Sequence, residues 1–427
     1  MQSDAHPTQM LATKSLFEHT SKLKRPMDTD DFLKELKEFG LFGRKTDCDS
    51  INLAERKIPV FRNEFWTSRQ RACHSIHEVS YRACFKPQLP EFFISRFCNA
   101  GDVVYDPFTG RGTTLIEARL NSCSVIGNDI NPLSQILTEP RLNPPSVSEV
   151  KKRLDEIYST FKRQSVREDL KVFYHEKTLE ELCSLRKYFK NKRLSNKLDQ
   201  IDKWILMVAT NRLTGHSKGF FSVYTLPPNQ AATIESQKKI NERLNQKPEY
   251  RNTKEIIIKK TCSLLADPFV FSRKDLFYSF HNSSADSTFD ILSNSVDLVV
   301  TSPPFLDIVN YISDNWLRIW FTESSFDEAS LWQIKSPEQW ADAMKNVFLE
   351  LKRLLKQNRF IAFEVGEVRN SSVELDHLVC KSALDAQLEP VCIMRNEQSF
   401  TKTSNCWGVK NNKSGTNSNR IVVVKKT

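Results

Sequence analysis

The chain of 427 residues has no CxxC pair, no apolar run long enough to cross a membrane, and no basic-then-apolar leader at its N-terminus. Ten cysteines are scattered from Cys48 to Cys406. That pattern suits reduced thiols and argues against a disulfide framework. The nearest approach to a metal cluster is Cys73, His74, His77 and Cys84, whose spacing fits no common zinc pattern, so no metal is expected. There is no internal repeat, no GxGxxG fingerprint and no phosphate-loop lysine, so nothing is built to hold a pyrophosphate. With 39% hydrophobic and 27% charged residues, the composition is that of a soluble globular protein, expected inside the cell in the cytoplasm. The net charge of +10 and the pI near 9.0 favour a polyanionic partner. A solvated positive face is the plainer explanation of the same surplus.

Residues 1–60 read as a peripheral segment, with helical spacing of Phe32, Leu33, Leu36, Phe39 and Leu41 in Asp28 to Phe42. Residues 61–145 alternate helix, strand, glycine turn, helix and strand, the opening of an α/β sheet. Residues 146–275 change character: KKRLDEIYSTFKRQ, TLEELCSLRKYFKNKRL, LDQIDKWILMVATNRL and QKKINERLNQK are charged amphipathic helices. Strand patterns return in 276–427 as VDLVV, RFIAFEVG and NRIVVVKK. The expected architecture is one α/β domain, Rossmann-like, interrupted by a largely helical insertion.

GDVVYDPFTGRGTTLIEARL carries the most information. A short apolar strand ends at Asp106, Gly110 and Gly112 follow, and Thr113 leads into a helix. This is the place at the carboxyl end of a parallel sheet where nucleotide-like ligands bind, and glycines let a ligand approach the backbone. Asp106 suits a ligand with a positively charged amino group. CSVIGNDINPL supplies a second strand ending in Asp129, where a carboxylate can accept both hydroxyls of a ribose, with Ile130 next to it. An adenosine-type ligand with an ammonium group and no phosphate is S-adenosylmethionine. Asp286 and Ser287 in FYSFHNSSADS offer a weaker third contact, to the adenine amino group.

SVDLVVTSPPFLDIVNY places Ser302, Pro303, Pro304 and Phe305 directly after an apolar strand. Two successive prolines stiffen the backbone and remove two N–H donors, so carbonyl oxygens can face a ligand. A serine hydroxyl and a rigid carbonyl can grip an amino group, and the aromatic ring can stack on a base. Holding both N–H bonds of an exocyclic amine localises its lone pair toward an electrophilic methyl. A base reaches such a site only by leaving its helix.

DPFTGRGTT resembles the cofactor motif of amino-group DNA methyltransferases, and TSPPF is similar to their catalytic motif in its cytosine-N4 form. The upstream stretch HEVSYRACFKPQLPEFFISRF resembles the segment that wraps the methionine end of the cofactor, which puts Phe85, Lys86 and Pro87 near it. The resemblance covers roughly residues 70–145 and 280–427. It implies a seven-stranded S-adenosylmethionine-dependent methyltransferase sheet, with Asp106, Pro107, Phe108, Gly110, Gly112, Thr113, Asp129 and Ile130 about the cofactor. In this family the spacer between the motifs often reads the target, which points to 146–275. Within it Arg212, His216, Lys218 and Phe220 are candidates for DNA contact, or else parts of a packed loop.

The expected activity is transfer of a methyl group to the N4 amino group of cytosine in double-stranded DNA, by base flipping and direct transfer. A restriction endonuclease partner and a prokaryotic, nucleoid-associated location follow from the resemblance alone. Methylation at carbon 5 would need a Pro-Cys dipeptide, and the sequence contains none. Adenine N6 methylation, RNA amino-group methylation and a non-catalytic DNA-binding subunit stand as alternatives.

Overall fold

A computed structural model describes residues 26–66, 73–82, 84–162, 164–268, 275–304, 311–324, 334, 336–366, 374–397 and 418–427. Among them nine strands form one mixed sheet. In chain order they are β1 (Asp47–Leu53), β2 (Arg56–Asn63), β3 (Val103–Asp106), β4 (Ser124–Asn128), β5 (Tyr278–His281), β6 (Val296–Thr301), β7 (Leu355–Val365), β8 (Glu389–Glu397) and β9 (Ser418–Lys425). The order across the sheet is β1-β2-β8-β9-β7-β6-β3-β4-β5. Strands β5, β4, β3, β6 and β7 are mutually parallel, and β9 runs antiparallel between β7 and β8. Numbered from β3, the last seven strands lie in the order 3-2-1-4-5-7-6, a doubly wound sheet with one reversed strand near its edge. This is the Rossmann-like methyltransferase sheet implied by the resemblance.

The sheet is wider than the seven strands expected. A hairpin of β1 and β2 extends it, with β2 parallel to β8. β2 therefore crosses the boundary at residue 60 and joins the segment before it to the main body. The helix expected over Asp28 to Phe42 spans Thr29–Glu38, capped by the Asp28 carboxylate accepting from the Asp31 N–H. Phe32 and Leu36 are buried, but the chain turns extended at Phe39, and Leu41 is left exposed. Strand β8 has no counterpart in the sequence reading.

Central strands are apolar on both sides because both faces are covered. Every residue of β6 is buried. Along β7, Phe360 and Ala362 enter one core cluster, while Ile361, Phe363 and Val365 enter the other. Helices Gln88–Phe97 and Thr113–Leu120 cover the first face; Pro337–Leu354 and Leu375–Asp385 cover the second.

The stretch 146–275 contains helices Val147–Ser159, Glu176–Leu194, Gln200–Arg212 and Ile234–Arg243, with a further helix Thr253–Leu264 that the sequence reading did not single out. Ser146 and Glu149 form a reciprocal capping box on the first. Leu154, Leu182, Phe189 and Trp204 from these helices belong to the same buried cluster as Leu115 and Ile116 beneath the sheet. The helical stretch thus packs onto one face of the sheet without a core of its own. Among the described residues no helix is long and apolar enough to cross a membrane.

Candidate active site

The parallel strands end together along one edge, with Asp106 on β3, Asn128 on β4, Thr301 on β6 and Glu364 on β7. Between β3 and β6 the winding of the sheet changes direction, and a crevice opens at such a point. Both motifs singled out in the sequence, distant along the chain, meet here as neighbouring strand ends.

On the β3 side, Asp106 is 1% exposed. Its Oδ1 accepts from the Thr301 hydroxyl at 2.6 Å and the Phe108 N–H at 3.1 Å. Its Oδ2 is buried with no partner among the described residues. Burial pushes the carboxyl up to about 7, against the hydrogen bond from Thr301. An unpartnered buried carboxylate oxygen at this edge fits the ammonium group of the implied cofactor.

The turn after it needs glycine. Gly112 has φ +79°, and a Cβ there would lie 2.3 Å from Thr138 Cγ2. Gly112→Ala is expected to lower stability by about 2–4 kcal/mol through the left-handed backbone and the clash together. Urea unfolding checks this, with loss of cofactor binding in parallel. Gly110, also at positive φ, lies under the Tyr81 ring, and its N–H donates to Asp129 Oδ2 at 2.8 Å. Asp129 Oδ1 accepts from the Asn131 N–H at 2.9 Å. The Asp129 carboxylate is therefore already bound to the turn, and burial lifts it to about 6. Each of its oxygens has a second lone pair, so it can still accept from a diol. Ile130 is half-buried beside it, and the Pro107 carbonyl accepts from Asn128 Nδ2 at 3.2 Å.

Arg111, which the sequence reading passed over, ties the upstream segment across this turn. Its guanidinium donates to the Val79 and Phe85 carbonyls at 3.3 and 3.2 Å and to the Thr113 hydroxyl at 3.1 Å. The Arg111 carbonyl in turn accepts from Arg141, which is fully buried. Phe85, Lys86 and Pro87 are thus held beside the glycine turn. Burial, and the Arg111 charge after it, lower the Lys86 ammonium. The basic residue inside GRG was the available clue to Arg111.

On the β6 side, the Ser302 hydroxyl donates to Glu364 Oε2 at 2.5 Å. Asn419 Nδ2, at the start of β9, donates to Oε1 of the same carboxylate at 3.1 Å. Glu364 is buried, and burial raises its carboxyl above the ordinary range. Pro303 is buried and Pro304 half-buried. Phe305 lies outside the described residues. Adjacent hydroxyls of Thr301 and Ser302 therefore engage acids on the two strands that flank β6.

Asp286 and Ser287 lie in the loop after β5, at the same edge; the Asp286 carboxylate accepts from the Ser284 hydroxyl at 2.5 Å. The four DNA candidates separate. Phe220 is 5% exposed and sits against Gly215, where a Cβ would meet its ring at 2.5 Å. The Arg212 guanidinium stacks on that ring 4.0 Å from its centre, and burial lowers it to about 10. Both are packed parts of the loop. His216 and Lys218 are exposed at its tip. His77, from the stretch first weighed for zinc, pairs with buried Glu117 at 2.6 Å, and the Cys84 thiol donates to the Tyr81 carbonyl. Trp316 and Trp320 pack partly buried against the core, with the Trp316 indole donating to the Ala232 carbonyl.

Residues 16–136 match the model of a family described as DNA methylase, N6 and N4 type. Type II methyltransferase M.MjaII of Methanocaldococcus jannaschii is 38% identical over 86 residues, 20% of this chain and 16% of that protein. Type II methyltransferase M.BsoBI of Geobacillus stearothermophilus is 24% identical over 379 residues, 77% of this chain and 73% of that protein. Among solved structures, the rRNA methyltransferase AviRa of Streptomyces viridochromogenes aligns with 11% identity and a TM-score of 0.33, covering 85% of this chain and 94% of its own.

Proposed function

We propose that this chain, whose residues 16–136 match the DNA methylase model, methylates the N4 amino group of cytosine in double-stranded DNA with S-adenosylmethionine as donor. The observation that carries the reading is the Ser302–Glu364 hydrogen bond at the end of β6, beside the unpartnered oxygen of Asp106. Asp106, Asp129 and the Gly110–Gly112 turn would hold the cofactor, with Lys86 and Arg111 at its methionine end. When bound, it supplies an electrophilic methyl group.

Because the Ser302 hydroxyl donates to Glu364, the serine lone pairs are left to accept an N–H from the substrate amine. The Pro303 carbonyl accepts the other. Two acceptors on one amine pull both hydrogens to one side and expose the nitrogen lone pair on the other. After methylation the nitrogen must shed a proton. Ser302 can take it and pass its own to Glu364, whose raised carboxyl suits that task. The target base cannot reach this turn while paired in a duplex, so it must flip out; the stacking role expected of Phe305 from the sequence falls on a residue outside the described ones.

Positive charge on 146–275 would neutralise phosphates, with His216 and Lys218 exposed at the tip of one of its loops. Lys218→Ala is expected to weaken DNA binding and to reduce the slope of log affinity against log salt by about 1, with sequence preference unchanged. Fluorescence anisotropy across a salt series measures it. The Type II names of the relatives support a cognate restriction endonuclease as partner, and a cytoplasmic location on the nucleoid. Transfer of tritium from labelled cofactor to duplex DNA, with RNA of matched sequence alongside, tests the substrate class. Label in RNA alone would replace this reading with an RNA methyltransferase.

A further inference from the structure

The catalytic turn has an unusual support problem. Prolines at 303 and 304 carry no N–H, so the turn cannot hold itself by its own backbone donors. Its shape must be fixed from outside. Thr301 is held by Asp106 on β3 and Ser302 by Glu364 on β7. A further bond comes from a third direction: the indole N–H of Trp340 donates to the Pro304 carbonyl at 3.1 Å.

Trp340 lies in the first turn of the helix Pro337–Leu354, on the second face of the sheet. It is 2% exposed and belongs to the same buried cluster as Val299, Phe363 and Val365. Its ring is thereby locked by packing beneath the ends of β6 and β7. A buried indole N–H requires an acceptor, and here the acceptor is a carbonyl of the catalytic turn. Among the described residues none donates to the Pro303 carbonyl.

We infer that Trp340 is a positioning residue that engages the Pro304 carbonyl and so leaves the Pro303 carbonyl as the one that accepts the substrate amine. This rests on the amino-methyltransferase reading above. Without the indole bond the end of the Pro303–Pro304 turn loses its anchor on the helix beneath, and the two acceptors of the amine, Ser302 and Pro303, lose their mutual alignment. A misaligned amine still binds, but its lone pair no longer points at the methyl.

Trp340→Phe removes the donor, and 3-benzothienylalanine placed at 340 by amber suppression removes it with ring volume conserved. In both variants kcat with duplex DNA is expected to fall about tenfold or more, the effect of one lost hydrogen bond on the reacting geometry. For the benzothienyl variant, KM for cofactor and DNA is expected to match that of the wild type, and the thermal unfolding midpoint to fall by no more than the few degrees one lost hydrogen bond costs. A benzothienyl variant with wild-type kcat overturns the inference. So does one whose KM and unfolding midpoint worsen in step with kcat, because that is the signature of packing alone. A wild-type protein that methylates no DNA overturns the function reading and this inference with it, and that failure shows in the wild type rather than in the comparison.

Discussion

Ser302→Ala is expected to lower kcat by about 10²–10³-fold while the affinity for S-adenosylmethionine stays unchanged. The serine oxygen is one of two acceptors proposed for the substrate amine, and it is the one whose hydrogen is committed elsewhere, to Glu364 at 2.5 Å. Alanine removes that acceptor and leaves Glu364 buried with only Asn419 as a described partner. The loss falls on the transition state, where the amine must be held with its lone pair exposed, so kcat and kcat/KM should fall together. Glu364→Gln keeps the shape but puts a neutral amide where the serine donates. It is expected to cost about tenfold to 10²-fold, less than loss of the serine itself. Single-turnover rates with tritiated cofactor, beside calorimetric titration of cofactor alone, separate the two effects. An unchanged rate for Ser302→Ala would remove the serine from the chemistry.

Asp106→Asn is expected to weaken S-adenosylmethionine binding by about 10²-fold, the loss of one charge-assisted hydrogen bond to an ammonium group. The wild-type affinity should also depend on pH. Burial raises Asp106 to about 7, so the folded protein without cofactor holds this proton more tightly than the unfolded chain does. That proton's stabilising contribution is present at low pH and is lost as pH rises through about 7. The cofactor has the opposite requirement, because an ammonium group needs the ionised carboxylate. Its affinity should therefore be highest above pH 7 and should fall about tenfold per unit below it. The Asn variant should lose this dependence between pH 6 and 8. Below pH 6, Asp129, raised to about 6, adds a second loss in both proteins. Isothermal titration over that range measures both curves. Equal pH dependence in the two proteins would move the ammonium contact away from Asp106.

The parts of the site that were legible in the sequence are those in which a short contiguous stretch carries both the shape and the chemistry. DPFTGRGTT contains the strand end, the glycines and the helix start together, and the left-handed Gly112 sits where the turn requires it. TSPPF likewise contains its own strand end. Glu364 was visible only as an acid closing an apolar strand, the same signal that marked Asp106, but its partner lies 62 residues away and only the sheet order joins them. Trp340 had no local signal at all, since its indole bond depends on how one helix lies beneath two strand ends. Phe220 and Arg212 read equally well as base contacts or as packing. In this structure the Phe220 ring packs against Gly215 with Arg212 stacked on it. The β1–β2 hairpin was missed because DCDSINL and RKIPVFRN lack clean alternation and rely on β8, itself unpredicted, for a partner. The residues that follow the Pro303–Pro304 turn, including Phe305, and the polar stretch before β9 lie outside the described residues.

The central claim is the atom that receives the methyl group. Duplex DNA of mixed sequence, incubated with the protein and S-adenosylmethionine, digested to nucleosides and resolved by mass spectrometry, identifies it directly. The account predicts N4-methylcytosine that disappears with Ser302→Ala. N6-methyladenine in its place, lost in the same variant, would contradict the base assignment, and no methylated base in DNA would contradict the reading as a whole.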